Sequence, residues 1–552
     1  MPEMKNQTVR GSHAANVSAV EAALRDLCGK SRSGAHTART ASAAMPSASS
    51  GKLMLYALLA ATLPAGVAAA SVTTNATLVQ IGVAALQQTN DTINGSGVVV
   101  GQAEASAGYY NPPGNPYAYL SVFEPNPTGL GQAASKFTYT DYSTPTTYSS
   151  GQYSGHAQYV ASLFYGNTGS GVAPGVAGVD VYESDYYYNN VISGFGPPAG
   201  SNSAGQPTAA SPAVVNQSFI WEGASATAIS DYNYVYNTNA ALYNTLFVSA
   251  AGDGTTTGTT PASYVNPPAT AQNGISVGAL GLPNVTGVDI TAPGGATSFT
   301  APLVSGVATD LVQAGREDIG GPGTSASATD IRVIKALILN GATKPVGWTN
   351  TPTSPLDQQY GAGVVNAYNS YENLAGGAHG ASATTTQAAG SSPQFVLAKS
   401  AIENSLIGWN LATLTSSASQ AAVDHYNFSL PQLGNNRYNL TATLDWNVQA
   451  YQSSMNHLDL YLLNSNGTVA ESISPVDNVQ QLVVNGLLPG NYDLAVLKQG
   501  GAFVTPSEVY ALAWAIHDPA GTTPEPGMLS LIAVGLLGLL SKRRPLVKAA
   551  GV

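Results

Sequence analysis

The sequence predicts an α/β domain, with a parallel sheet flanked by helices, followed by a small all-β sandwich. Residues 71–375 mix short apolar runs typical of buried strands with longer helical patterns. Residues 395–517 alternate apolar and polar positions with a period of two, most clearly at 440–446, 458–462 and 492–496, as antiparallel strands do. Residues 376–394 are rich in Gly, Ala, Ser and Thr and predict a flexible linker between the two regions.

The composition limits the function classes. The chain has 552 residues, enough for two or three domains, but only 9% of them are charged and the net charge is −11. A nucleic-acid partner is therefore not expected. The only cysteine, Cys28, lies in a segment that we expect to be removed, so disulfides, thiol catalysis and cysteine-based metal sites are not expected either.

The N-terminal part predicts export. Residues 1–52 are polar and mildly basic and form an extension whose depth suggests that the true start is Met45 or Met54. Residues 53–70 follow Lys52 with a short apolar run and a small-residue site, which is the pattern of a secretory signal peptide. The alternative is a buried helix.

The C-terminal part predicts a second targeting segment. Pro524-Glu525-Pro526 precedes an apolar run over 527–540 and a basic cluster at 542–544. Over residues 522–545 this tail resembles the PEP-CTERM sorting signal of Gram-negative bacteria. The resemblance implies processing by an exosortase and a location in the cell envelope or outside the cell, after transient anchoring in the membrane. A plain membrane anchor is the alternative, although the apolar run is short for a stable span.

Ser298 is the candidate nucleophile of the first region. It stands among small residues, Gly294 to Thr297, with Pro302 four positions later and an apolar helical pattern over 303–312. This pattern predicts a serine at the start of a buried helix, with Pro302 in the first turn, where its missing N–H costs little. Unpaired N–H groups at a helix start favour the oxyanion that forms when a hydroxyl attacks a carbonyl. The simpler interpretation is a core helix with an N-cap serine.

A base and an acid are also available. His156 stands at the predicted start of a helix and is the only histidine between residues 71 and 375. Glu104 follows a short buried strand that includes 97–100, and strand ends line the ligand crevice of α/β sheets. Asp141 is the alternative acid. An isolated histidine is more often structural than catalytic.

The order acid, histidine, serine resembles the subtilisin-like serine peptidases, and several further blocks match from about residue 80 to 375. These blocks are 155–161, 171–175, 216–218, 247–253, 261–264, 275–279, 297–306 and 360–367. The resemblance implies that Ser298 attacks the scissile carbonyl, that His156 transfers the proton and that Glu104 orients His156. Ser325, in Gly323-Thr324-Ser325, is a competing serine, but we expect it in a Gly/Ser-rich loop, and it lacks the proline and the apolar helix directly behind it. Over residues 395–517 the chain loosely resembles the pre-peptidase C-terminal domains of secreted peptidases.

The chain departs from that family at three places. Glu104 replaces the usual aspartate. Asp253 stands at the oxyanion position, where an asparagine usually donates a hydrogen bond, and a carboxylate can donate only when it is protonated. We therefore predict a mildly acidic activity optimum. The simpler interpretation is that Asp253 is a loop residue and that backbone N–H groups stabilise the oxyanion. At the substrate-binding positions, Ser218 is followed by Phe219 and Ile220 where glycines are common, so we expect a reshaped or narrowed specificity pocket.

These observations predict an exported serine endopeptidase that needs no cofactor for its chemistry. The resemblance allows structural calcium, but no Asp-rich loop specifies a site. Its partners would be a protein or peptide substrate and the export and exosortase-type sorting machinery. The alternative is a catalytically weak or inactive surface protein of the same fold that binds peptide or attaches to the matrix. An esterase or amidase is a third possibility.

Overall fold

The computed structural model describes residues 75–110, 120–141, 145–146, 151–194, 212–254, 265–282, 285–398, 405–432, 437–501 and 505–518. All of them belong to one compact unit, Thr73–Val552. The predicted N-terminal extension, signal peptide and C-terminal tail lie outside these residues.

A sheet of eight strands forms the centre of the first region, in the order β10-β9-β8-β7-β1-β6-β4-β5. Seven strands are parallel, and β5 pairs antiparallel with β4 at one edge. β2 and β3 form a separate ribbon. The strands are β1 (Val99–Glu104), β2 (Tyr109–Tyr110), β3 (Leu120–Ser121), β4 (Phe137–Thr140), β5 (Pro145–Thr146), β6 (Gly178–Glu183), β7 (Val214–Gln217), β8 (Leu246–Ala250), β9 (Ile275–Ala279) and β10 (Ile290–Ala292).

Helices flank this sheet, and their apolar faces share one continuous core with the strands. They are α1 (Ala76–Gln80), α2 (Val83–Thr89), α3 (Gly155–Phe164), α4 (Ser184–Tyr186), α5 (Ala226–Tyr243), α6 (Thr297–Arg316), α7 (Ser325–Ala328), α8 (Ile331–Gly341) and α9 (Ala367–Ala375). Shorter turns of 3₁₀ helix span Thr128–Leu130 and Ala134–Lys136, and a π-helix spans Tyr187–Ile192. Crossover connections keep the strands parallel. The carboxyl ends of the strands, which carry the candidate site, therefore lie together along one end of the sheet.

Two antiparallel sheets form the second region, and their inward faces share an apolar core. Their orders are β11-β13-β18-β15-β16 and β12-β19-β14-β17. The strands are β11 (Ala383–Ala388), β12 (Ile407–Thr415), β13 (Gln420–Leu430), β14 (Tyr438–Trp446), β15 (Leu458–Asn464), β16 (Gly467–Ser472), β17 (Val479–Leu487), β18 (Gly490–Lys498) and β19 (Ser507–His517). The predicted fold class, a parallel sheet flanked by helices followed by an all-β region, is confirmed.

The two regions pack closely against each other. Every residue of α8 except Arg332 is buried, and the helix packs on α9 on one side and on β14 and β19 on the other. Lys335 of α8 lies 3.5 Å from Asp445 of β14, and both side chains are 1% exposed. Burial raises the pKa of Asp445 to about 7, although the charge of Lys335 opposes this shift. The interface therefore contains a buried ion pair as well as apolar contacts.

The structure corrects two expectations about local structure. Residues 376–394 are not a flexible linker, because β11 lies within them and pairs with β13 along its whole length. The small polar side chains of β11 gave no apolar alternation, but backbone pairing does not require one. Ser325 does not lie in a loop, because it is the first residue of the short helix α7.

None of the helices among the described residues is both long enough and apolar enough to cross a membrane.

Candidate active site

Glu104 and His156 come together at the ends of two neighbouring elements. Glu104 is the last residue of β1 and is fully buried, and His156 lies in the first turn of α3. Ser154 caps this helix by accepting a hydrogen bond from the N–H of Ala157 at 3.2 Å. The distance from Nδ1 of His156 to Oε2 of Glu104 is 2.7 Å. The longer glutamate side chain therefore reaches the imidazole at a normal hydrogen-bond distance.

This contact fixes the tautomer of His156. A carboxylate oxygen can only accept, so Nδ1 carries the proton and Nε2 is left as the basic atom of the neutral ring. Burial is the largest single effect on the pKa of His156 and lowers it, but the charge and hydrogen bond of Glu104 and the charge of Asp253 together raise it above its ordinary value. The side chain is still 40% exposed, so solvent or substrate can reach the imidazole.

Ser298 is the second residue of α6, and Ser218, directly after β7, hydrogen-bonds it. Pro302 lies in the second turn of the helix, not in the first as the sequence suggested, because α6 begins at Thr297. A residue with an N–H at position 302 would donate to the carbonyl of Ser298, and proline cannot. Oγ of Ser218, directly after β7, donates to that carbonyl instead, at 2.8 Å.

The hydroxyl of Ser298 donates to the carbonyl of Ser218 at 3.3 Å, so the two serines hold each other reciprocally. Phe299, the next residue of α6, packs against His156 with ring centroids 5.5 Å apart. Tyr159, one turn along α3, meets Phe299 edge-on at 4.6 Å. α6 and α3 are therefore in contact beside Ser298.

Asp253 caps α6. Ala296 stands at the N-cap position and has no side-chain acceptor. Oδ1 of Asp253, which follows β8, instead accepts from the N–H of Thr297 at 2.7 Å and from its Oγ1 at 2.9 Å. Both contacts use the carboxylate as an acceptor, and an anion at a helix N-terminus is favourable. This role was missed in the sequence, where Asp253 was expected to donate to the oxyanion.

Bulky side chains follow Ser218, the residue that hydrogen-bonds Ser298. Phe219 is buried, and Trp221 stacks on Tyr232 with ring centroids 4.3 Å apart. Gly252 has a φ of +106°, and a Cβ added to it would lie 3.4 Å from Cδ1 of Ile220. The side chain of Ile220 thus lies over Gly252, next to Asp253.

The two alternatives considered from the sequence do not take these positions. The carboxylate of Glu104, not that of Asp141 at the end of β4, hydrogen-bonds His156. The N–H of Ser325 donates to Asp318, beyond the C-terminal end of α6. Because a helix rises 1.5 Å per residue, Ser325 lies roughly 30 Å from Ser298.

One further residue contacts the acid, and the sequence reasoning missed it. Nε2 of Gln102 donates to Oε1 of Glu104 at 2.8 Å. The signal was available, because residues two apart on a strand face the same side, and Gln102 is a polar residue in the apolar run that leads to Glu104.

No group of three or more His, Cys, Asp or Glu side chains suited to a metal ion occurs in the part of the chain that the structure describes. The candidate residues Ser298, His156 and Glu104 supply a hydroxyl, an imidazole and a carboxylate.

Comparisons with known proteins give one family match and several similar structures. Residues 522–544 match the PEP-CTERM protein-sorting motif. A serine protease of Aeromonas sobria is 14% identical, with a TM-score of 0.35, over 77% of this chain and 82% of that one. The CspB protease of Clostridium perfringens is 14% identical, with a TM-score of 0.36, over 54% and 99%. The PatG macrocyclase, solved with a peptide, is 13% identical, with a TM-score of 0.36, over 54% and 97%.

No curated protein matches the chain significantly. The chain thus carries a PEP-CTERM protein-sorting motif, and the solved structures that it resembles at low identity include proteases and a macrocyclase.

Proposed function

We propose that this protein is an exported serine endopeptidase that hydrolyses peptide bonds with Ser298, His156 and Glu104. The observation that carries the proposal is the 2.7 Å hydrogen bond between buried Glu104 and Nδ1 of His156, with Ser298 at the start of the adjacent helix. A histidine oriented by a carboxylate beside a serine at a helix N-terminus is the arrangement that activates a hydroxyl.

In this mechanism, Oγ of Ser298 leaves the carbonyl of Ser218 and gives its proton to Nε2 of His156 as it attacks the scissile carbonyl carbon. The tetrahedral oxyanion forms next to the start of α6, where the N–H of Ser298 is one of the groups without an intrahelical acceptor. His156 then protonates the leaving amine as the C–N bond breaks. Water, deprotonated by His156, hydrolyses the acyl-enzyme and restores Ser298.

Glu104 does not take up the proton in these steps. It stabilises the imidazolium and holds the Nδ1–H tautomer. Because Glu104 and Asp253 raise the pKa of His156 above its ordinary value, kcat/KM should rise with pH through that raised pKa as the neutral base forms. This direction is opposite to the mildly acidic optimum expected from the sequence, which assumed that a protonated Asp253 donates to the oxyanion.

The substrate-binding positions support a restricted specificity. Ser218, Phe219 and Ile220 run beside Ser298, and the side chain of Ile220 lies against Gly252. We propose that substrate peptides bind along this segment and that Ile220 favours a small residue at the cleaved bond. The PEP-CTERM motif supports export and exosortase-type sorting, so the substrates would be extracellular or envelope proteins, or partners in self-processing.

The test compares the purified protein with its Ser298→Ala variant, using a fluorophosphonate probe and unfolded casein between about pH 4 and 9. Labelling and cleavage should be lost in Ser298→Ala and retained in Ser325→Ala, a matched control at the far end of α6. A folded parent protein that neither labels nor cleaves at any pH would overturn the peptidase proposal.

One observation favours a second candidate, a surface protein of this fold that binds peptide without efficient catalysis. The hydroxyl of Ser298 donates to the carbonyl of Ser218 rather than to His156. This candidate is supported if immobilised unfolded casein retains the parent protein, while the probe does not label that protein and the protein does not cleave casein.

A further inference from the structure

A buried chain of polar side chains lies behind Glu104. Gln102, on β1, is fully buried, and its Nε2 donates both to Oε1 of Glu104 at 2.8 Å and to the carbonyl of Ala157 at 3.1 Å. The hydroxyl of Tyr165, which is also fully buried, donates to Oε1 of Gln102. Both protons of the amide group and its oxygen are therefore engaged.

The orientation of the Gln102 amide follows from its partners. A carboxylate and a backbone carbonyl can only accept, so the NH₂ group must face them. Burial raises the pKa of Tyr165 well above its ordinary value, so its hydroxyl keeps the proton that it donates to the amide oxygen. Each donor along the chain from Tyr165 through Gln102 points toward the carboxylate of Glu104, and His156 donates to it from the other side.

This row of hydrogen bonds limits the freedom of the Glu104 carboxylate. A glutamate has one more rotatable bond than an aspartate, so its carboxylate has more freedom to leave the imidazole. Gln102 restrains one oxygen of Glu104 and leaves the other for His156. The same amide also binds the carbonyl of Ala157, the residue after His156, and so ties the strand that carries the acid to the helix that carries the base.

We propose that Gln102 is a positioning residue for the pair formed by Glu104 and His156, and that Tyr165 positions Gln102. The predicted effect on kcat rests on the proposed peptidase function, whereas the predicted effect on the tautomer of His156 does not.

The first experiment uses the full chain in a Ser298→Ala background and measures the tautomer of neutral His156 by ¹⁵N NMR. The Ser298→Ala parent should show only the Nδ1–H tautomer and a low-field Nδ1–H proton. Gln102→Leu should add the Nε2–H tautomer and weaken the low-field signal. Gln480→Leu is the matched control, because Gln480 is equally buried and hydrogen-bonded but lies in β17.

An unchanged tautomer in folded Gln102→Leu would overturn the proposal. If that variant does not fold, Tyr165→Phe decides, because it removes one hydroxyl and keeps the ring. It should shift the tautomer in the same direction by a smaller amount, and no shift would likewise overturn the proposal.

The second experiment restores Ser298 and measures kcat and KM on a peptide substrate at a pH where His156 is neutral. Gln102→Leu should lower kcat by about 10²-fold, the size of effect that a small misplacement produces, with KM nearly unchanged because Gln102 does not touch substrate. A change in KM with no change in kcat would overturn the positioning role. A parent protein without activity would refute the peptidase function, and the tautomer measurement would still decide the role of Gln102.

Discussion

Replacing Asp253 with asparagine removes a negative charge from the start of α6 and keeps an acceptor oxygen of similar shape. The carbonyl oxygen of asparagine can still accept from the N–H and Oγ1 of Thr297, which Asp253 now holds at 2.7 and 2.9 Å. The amide nitrogen takes the place of the second carboxylate oxygen. The substitution therefore changes the charge and adds a donor with little change in geometry.

Three effects follow, and their signs differ. Loss of the anion at the helix N-terminus should lower the free energy of unfolding by about 0.3–1 kcal/mol. The charge of Asp253 helps to raise the pKa of His156, so that pKa should fall and the acid limb of kcat/KM should move to lower pH. A positioned oxyanion donor is worth about 10²–10³ in kcat when it is removed elsewhere, so a new one, less well placed, should raise kcat by about 10-fold or more.

The assay measures kcat/KM against pH for the parent and Asp253→Asn, with urea unfolding of both. Asp318→Asn is the matched control, because Asp318 also accepts a backbone N–H, from Ser325, but lies beyond the other end of α6. It should leave the pH profile unchanged. If folded Asp253→Asn showed the pH profile and kcat of the parent, the coupling between Asp253, His156 and the oxyanion would be refuted.

Three further predictions concern buried carboxyl groups. Glu104→Ala should lower kcat by about 10⁴-fold. Glu104→Asp should lower it by less, because it keeps a carboxylate, although the shorter side chain cannot reach both His156 and Gln102; steady-state kinetics measures both. Both oxygens of Asp310 are buried without a hydrogen-bond partner among the described residues, so Asp310→Leu should raise the free energy of unfolding in urea by about 1–3 kcal/mol at neutral pH. Burial raises the pKa of folded Asp310 well above its ordinary value, so the parent should lose stability as pH rises from about 4, and this slope should be smaller in the variant. Lys335→Met should lower the free energy of unfolding by about 3–5 kcal/mol by leaving Asp445 buried without its partner, and adding Asp445→Leu should recover most of the loss.

Each of these has an outcome that contradicts it. Parent-like kinetics in Glu104→Ala would show that another group orients His156. A stability slope that persists unchanged in Asp310→Leu would assign the titration to a different residue. A double variant of Lys335 and Asp445 that is no more stable than Lys335→Met would mean that the lysine stabilises the interface by packing rather than by charge.

The sequence predicted those features that follow from local patterns. Period-two alternation indicated the strands of the second region, and apolar runs indicated β1 and α6. The approach of Glu104 to His156 could be inferred because strand ends and helix starts meet at one edge of a parallel sheet. The chain order of Glu104, His156 and Ser298 then agreed with the order acid, histidine, serine of the subtilisin-like serine peptidases.

Non-local contacts could not be predicted in this way. Asp253 caps a helix that begins 44 positions later in the chain, and only the fold brings the two together. The carbonyl of Ser298 is satisfied by Ser218 because Pro302 cannot do so, which requires knowing where α6 begins. β11 pairs through its backbone and carries side chains that give no hydrophobic signal.

The position of β19 constrains the order of folding. This strand, Ser507–His517, lies between β12 and β14 in its sheet and also packs on α8. The four-stranded sheet cannot close until these residues, which end only a few positions before the sorting motif at 522–544, are available. Until then, α8 lacks the part of its packing surface that β19 supplies. If the chain is exported from its N-terminus, this sheet can close and α8 can complete its packing only after β19 has crossed, shortly before the sorting motif does.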